Sequence, residues 1–177
     1  MKQTPEANEQ LAFLEYCRLK GIAVAATPNE TPAGHFEDDG EGGKQWKRHW
    51  KTAKAAKVKG ASEGFPDLTI VCPCGDGKAR MMYVEMTAPN EKPKRFADAH
   101  PYKKPAIFYK MQDEILDEDN WQKNDGTTKK TVFGVKRAQV QWIRALNRAT
   151  EVGAFVCYSA DEAIGLVDGF AAQRNFS

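Results

Sequence analysis

Apolar residues recur along this chain in two rhythms, one suited to helices and one to strands, and a long stretch between them follows neither. Thr4, Pro5 and Glu6 read as a helix start, because proline is preorganised for the first helical position and an early acid meets the positive end of the helix dipole. Leu11, Leu14 and Cys17 then line one face until Gly21 ends the helix. A short apolar strand follows over residues 22–26, and residues 27–43 form a turn-rich loop of prolines, glycines and acids. The spacing of Trp46, Trp50 and Ala53 predicts a second helix over residues 45–58, stopped by Gly60. Its remaining faces carry Lys44, Lys47, Arg48, Lys51, Lys54 and Lys57.

Residues 68–72 and 81–86 read as strands, and Cys74, Gly75, Asp76 and Gly77 between them are turn residues, so an antiparallel hairpin is the economical connection. Residues 88–133 open with prolines and basic side chains, pass a short helix around 108–116 and then turn polar, which reads as a long insertion. Val140, Ile143 and Leu146, with Trp142, predict a helix, and residues 154–158 predict a buried strand. Ser159 and Glu162 form a capping box for a last helix ending near Gly169. The order predicts one α/β domain over residues 1–177, a mixed central β-sheet flanked by helices.

A chain of 177 residues with 41% apolar content can bury one core and not two of ordinary size. Its net charge of +2 hides a local imbalance, so a nucleic-acid reading must rest on where the cations sit, and they cluster over residues 44–59. Such lysine-rich stretches are usually solvated faces; here phosphate contact is expected for Lys47, Arg48, Lys51, Lys54 and Lys57, with the tryptophan rings in the core. Cys17, Cys72, Cys74 and Cys157 follow no secretion signal, and reduced thiols in a cytoplasm are the simplest account. No apolar run approaches the ~18 to 20 residues of a membrane span. Cys72 and Cys74 lack a second pair for zinc, and His35, His49 and His100 are scattered. The acids Asp113, Glu114, Asp117, Glu118 and Asp119 read as a solvated surface that repels nucleic acid, or that mimics it for a protein partner.

A hairpin folded about Asp76 sets Asp67 opposite Glu85. Directly opposed residues have Cβ atoms ~4.5 to 5.5 Å apart, and two carboxylates there repel unless a cation lies between them. Magnesium-like ions take such ligands, with water and substrate phosphate completing the shell. A one-residue slip would put the two side chains on opposite faces.

The same residues carry a family resemblance. Gly64-Phe65-Pro66-Asp67-Leu68 followed by Tyr83-Val84-Glu85-Met86-Thr87 resembles the G-x-P-D-L and v-E-x-K motifs of the VRR-NUC branch of the PD-(D/E)xK nucleases. Pro28-Asn29, the Glu6 and Gln10 pair, and Val135 to Gln139 followed by Trp142-Ile143 are similar to further elements of that family, in the same order. The resemblance implies a restriction-endonuclease-like core interrupted by the insertion at 88–133. It implies a nuclease that hydrolyses DNA phosphodiester bonds with Mg²⁺ or Mn²⁺, plausibly a structure-selective endonuclease for branched or flapped DNA, with RNA the weaker possibility. It also implies a homodimer, in a bacterial or phage-infected cytoplasm.

By this resemblance Asp67 and Glu85 hold the metal with the Met86 backbone carbonyl, Glu6 ligates a second ion or a metal-bound water, and Gln139 holds water or phosphate; Glu9 replaces Glu6 if the helix phase differs. The chain departs from the family at Thr87, where the motif has lysine. A threonine hydroxyl has no positive charge and no usable pKa, though it is also an ordinary strand residue. Lys136, Lys94, Lys57 and Lys59 are the candidates to replace that lysine, and Lys136 is also a candidate phosphate contact. The alternative is a nuclease-fold protein that binds nucleic acid or a protein partner without cutting.

Overall fold

The computed structural model of the chain describes residues 4–27, 34–38, 44–48, 64–73, 78–149 and 153–172. Helix α1 (Pro5–Lys20) starts as its sequence requires: Thr4 Oγ1 accepts from the Ala7 N–H at 3.2 Å, and Gly21 closes the helix in the left-handed conformation. Its buried residues are Phe13 and Cys17, while Leu11 is 49% exposed, so the apolar face is turned from the one expected. Strand β1 (Ala23–Ala26) follows.

The next segments correct the expectation. β2 (Gly34–Asp38) lies where a loop is expected, and β3 (Lys44–Arg48) where a helix is expected to begin; the two pair antiparallel. Their register sets Phe36 opposite Trp46 and Asp38 opposite Lys44. The rest of the expected cationic helix lies outside the described residues, with Lys51, Lys54, Lys57 and Lys59.

Strands β4 (Leu68–Pro73) and β5 (Ala79–Met86) form the centre of the main sheet. After β5, a helix α2 (Pro105–Leu116), a two-strand hairpin of β6 (Thr131–Val132) and β7 (Val135–Lys136), and a helix α3 (Arg137–Asn147) lead to β8 (Gly153–Cys157) and α4 (Ala160–Ala172). The sheet order is β1-β4-β5-β8, antiparallel except for the β5–β8 pair. This is a mixed sheet flanked by helices. None of the described helices is long and apolar enough to cross a membrane.

Alternation divides the sheet. Leu68, Ile70 and Cys72 on β4 and Met82, Val84 and Met86 on β5 are buried, and α1 and α4 pack against each other and these strands. The intervening residues Val71 and Met81 are exposed, and Thr69 and Tyr83 half-buried. Glu85 and Thr87 belong to this more open face but are only 3% and 6% exposed, because α3 and the β6–β7 hairpin close over their end of it.

Residues 88–133 are part of the core and not an appendage. They contribute Phe96, Ala99, Phe108, Met111, Ile115, Trp121 and Val132 to the same buried cluster as the sheet. They also finish the edge of β8. The Gln112 side-chain amide donates to Val156 O and accepts from Val156 N, both at 2.9 Å. Asn147 bonds Ala154 in the same reciprocal way, at 3.0 and 2.7 Å. Two amides thus satisfy backbone groups of an edge strand that would otherwise offer them for pairing. The acidic run is partly neutralised, Glu114 by Arg95 and Glu118 by Arg144 and Arg137.

Candidate metal centre

The β4–β5 ladder runs from Leu68 opposite Val84 to Pro73 opposite Ala79, the register that a hairpin folded about Asp76 requires. Asp67 and Glu85 lie one position beyond its end, and Asp67 is tied down there: its Oδ2 accepts from Met86 N at 3.0 Å and its backbone oxygen from Thr27 N at 2.6 Å. The chain enters through Gly64, whose φ of +80° suits glycine. A Cβ on Gly64 would stand 2.6 Å from the Ala138 carbonyl carbon and 2.8 Å from Gln139 N, so the start of α3 approaches this closely only because residue 64 has no side chain. Phe65 then sits edge-on to Trp142 at 5.1 Å and to Tyr83 at 5.6 Å, joining the Asp67 segment to α3 and β5.

That approach delivers Gln139. Its Nε2 donates to Glu85 Oε1, and its Oε1 accepts from Lys136 N at 2.7 Å. Both ends of the Gln139 amide are thus engaged, one of them on the Glu85 carboxylate. Glu85 Oε2 is buried and has no hydrogen-bond partner among the described residues. Burial first, then the charge and contact of the Asp67 carboxylate, then the charge of Glu6 push the Glu85 pKa well above the usual carboxylate range, against a weaker pull from the Asp67 backbone. Among the described residues no cation pairs with Glu85. Two carboxylates in such contact share either a proton or a cation.

The choice between Glu6 and Glu9 follows from packing. Glu9 Oε2 accepts from Ala160 N at 2.7 Å, capping α4, whereas Glu6 acts on Glu85. Thr87 donates its backbone N–H to Cys157 O at 2.9 Å, and its methyl stands 2.6 Å from where a Cβ on Gly134 would be. Gly134 is a residue the sequence reading passes over, although a glycine between Thr131-Val132 and Val135 is a turn signal. Lys136 is exposed beside Gln139. Lys47 and Arg48 lie on β3 opposite His35 and Gly34. Pro28, Asn29, His49, Trp50, Ala53 and Cys74 lie outside the described residues; Cys17, Cys72 and Cys157 are buried.

Among the described residues, no three histidine, cysteine, aspartate or glutamate side chains gather into a ligand set of their own. A buried carboxylate oxygen without a donor, beside a second carboxylate, nevertheless fits magnesium or manganese, which bind through one or two carboxylates and keep water and substrate in the remaining positions. The Met86 side chain points into the core at 1% exposure, so its contribution would come from the backbone.

The raised Glu85 pKa has a consequence for stability. The folded chain holds the proton more tightly than the unfolded one, so in metal-free buffer stability is full below the ordinary value of 4.5 and declines as pH rises through the folded pKa. The slope should be at most about 1.4 kcal/mol per pH unit from this group. Urea unfolding of wild type and Glu85→Gln across pH 4.5 to 9 (roughly the window in which a raised carboxyl titrates) checks it. The variant should lack this part of the decline, and parallel profiles would contradict it.

No protein-family model, curated protein or solved structure matches the chain.

Proposed function

We propose that the chain is a metal-dependent nuclease hydrolysing DNA phosphodiester bonds, a structure-selective endonuclease with a restriction-endonuclease-like core of the VRR-NUC type. The observation that carries this reading is the donor-less buried Oε2 of Glu85 beside Asp67, with Glu6 adding a third negative charge. The sequence resemblance names the same residues. The order of elements, one helix, an antiparallel β1-β4-β5 unit, then a helix leading to a parallel β8, agrees with such a core.

A divalent ion held here would act as a Lewis acid on phosphate and lower the pKa of bound water. Glu85 would present Oε2 to it, and Gln139, by holding Oε1, fixes which oxygen is presented. Asp67 is oriented by the Met86 N–H, so the two carboxylates are set by groups on both strands and α3. Glu6, whose charge acts on Glu85, would bind a second ion or its water in this reading. DNA is the substrate of this reading, a homodimer its assembly and the cytoplasm of a bacterial or phage-infected cell its setting.

A second reading, a protein that binds nucleic acid without cutting it, is favoured by Thr87, which is packed under the hairpin and carries no charge. Incubating the protein with labelled linear, flapped and four-way-junction DNA in Mg²⁺ or Mn²⁺ separates the two. The nuclease reading expects metal-dependent cutting that prefers a branched substrate. Binding with no cutting of any substrate would transfer the assignment to the second.

A further inference from the structure

The hairpin that closes over Thr87 is short and tightly turned. Val132 pairs with Val135, and the turn residues Phe133 and Gly134 have φ of 51° and 81°, the geometry of a tight two-residue turn in which asparagine is usual and phenylalanine is strained. Such a conformation is sterically costly for a bulky residue. Three contacts offset it: Phe133 O accepts from the Tyr158 hydroxyl at 2.8 Å, its ring meets Phe96 at 6.2 Å, and Arg95 stacks over it at 5.3 Å. The tip is thereby anchored to the core and to the single turn at Lys94–Phe96.

Val132 and Val135 face inward and are buried, so Thr131 and Lys136, paired with each other, project from the other face and are exposed. Lys130 immediately precedes β6, and Lys94 belongs to the turn whose Arg95 and Phe96 meet Phe133; both are exposed and neither has an ion-pair partner among the described residues. The nearby acids Glu114 and Glu118 are engaged by arginines, while Glu91 lies beside Gly134. The hairpin touches Thr87 at its tip and, through Lys136 N, the Gln139 side chain that holds Glu85.

We propose that the β6–β7 hairpin and the adjoining 94–96 turn are the surface on which the sugar–phosphate backbone of nucleic acid lies, with Lys94, Lys130 and Lys136 contacting phosphates. This rests on the nuclease reading for the identity of the neighbouring site and gives a function to the segment that interrupts the family pattern. Exposed lysines on a preorganised hairpin bind phosphate as point charges, independently of base sequence.

The test is salt-dependent binding to a fluorescent 30-base-pair duplex, an oligonucleotide of roughly three helical turns, in metal-free buffer, so that cutting is not needed for a signal. Each phosphate neutralised adds about 0.9 to the slope of log affinity against log salt. The Lys94→Gln, Lys130→Gln, Lys136→Gln triple variant should lose up to roughly 2.7 of that slope and bind more weakly at every salt concentration. Lys20→Gln with Lys110→Gln should leave the slope unchanged. A lowered slope supports the surface whether or not the wild type cuts DNA. An unchanged slope in the triple variant, or no binding by the wild type, overturns it, and cutting by the triple variant at the wild-type rate would show that the nuclease reading survives without it.

Discussion

DNA cleavage is expected to fall by about 10² to 10⁴ when Asp67 or Glu85 is replaced by alanine, the scale on which a positioned catalytic group contributes. Either change removes half of the carboxylate pair, and Asp67→Ala also frees the Met86 N–H from its acceptor. Gln139→Ala should cost less, about 10- to 100-fold, because it touches the ligand and not the reacting atoms. Single-turnover rates at saturating Mn²⁺ measure both. The ranking is the informative part. Equal losses at the three positions would mean that Gln139 does more than orient Glu85, and a retained rate in either alanine variant would remove that carboxylate from the chemistry.

Lys92→Met is expected to destabilise the fold by about 3 to 5 kcal/mol, the cost of leaving one member of a buried ion pair alone. Lys92 Nζ donates to Glu162 Oε1 at 2.5 Å and to the carbonyls of Ala97 and Ala99 at 3.2 and 3.0 Å, with side-chain exposures of 13% for Lys92 and 3% for Glu162. Glu162 Oε2 in turn accepts from Tyr158 N at 2.8 Å. Burial raises the Glu162 pKa, and Lys92 and the Tyr158 N–H counteract it. Without the lysine, Glu162 would take up a proton in the fold, so the variant should lose stability as pH rises. A chain of this size shifts its melting temperature by about 2 to 4 °C per kcal/mol, giving a drop of roughly 6 to 20 °C. Adding Glu162→Gln keeps an acceptor for Tyr158 N and removes the stranded charge, so the double variant should recover much of the loss. A melting temperature unchanged by Lys92→Met would show that residues 92–99 are not bound to the core in the way their hydrogen bonds imply.

The legible parts of this chain were those in which local pattern and tertiary requirement coincide. Alternation in β4 and β5 with a turn centred on Asp76 is sufficient to set the register, and the register is what brings Asp67 and Glu85 together. Thr4, Gly21, Ser159 and Glu162 announce helix ends because caps are local; even so, Glu162 reaches Tyr158 N, one residue before the expected partner. Packing between distant segments leaves no such trace. Glu6 is the acid that the resemblance picks and Glu9 the alternative one turn on, and only the position of Ala160 shows that Glu9 is a cap. In residues 88–133 only Phe108, Met111 and Ile115 keep a helical period; Phe96, Ala99, Trp121 and Val132 are scattered over short turns and a two-residue strand, and the polar Gln112 is buried to bond β8, so no period marks these as core. Lys44 to Arg48 hold one apolar residue and show no strand alternation, and what makes them a strand is their pairing with residues 34–38.

The central claim is that Asp67 and Glu85 form a divalent-cation site. Calorimetric titration of the full chain with Mn²⁺ at neutral pH tests it most directly, run beside Glu85→Gln and Asp67→Asn. Binding by the wild type that is lost in both variants is the predicted result, because each variant removes one of the two carboxylates that would hold the ion. No binding by the wild type, or the same binding in all three proteins, would contradict it.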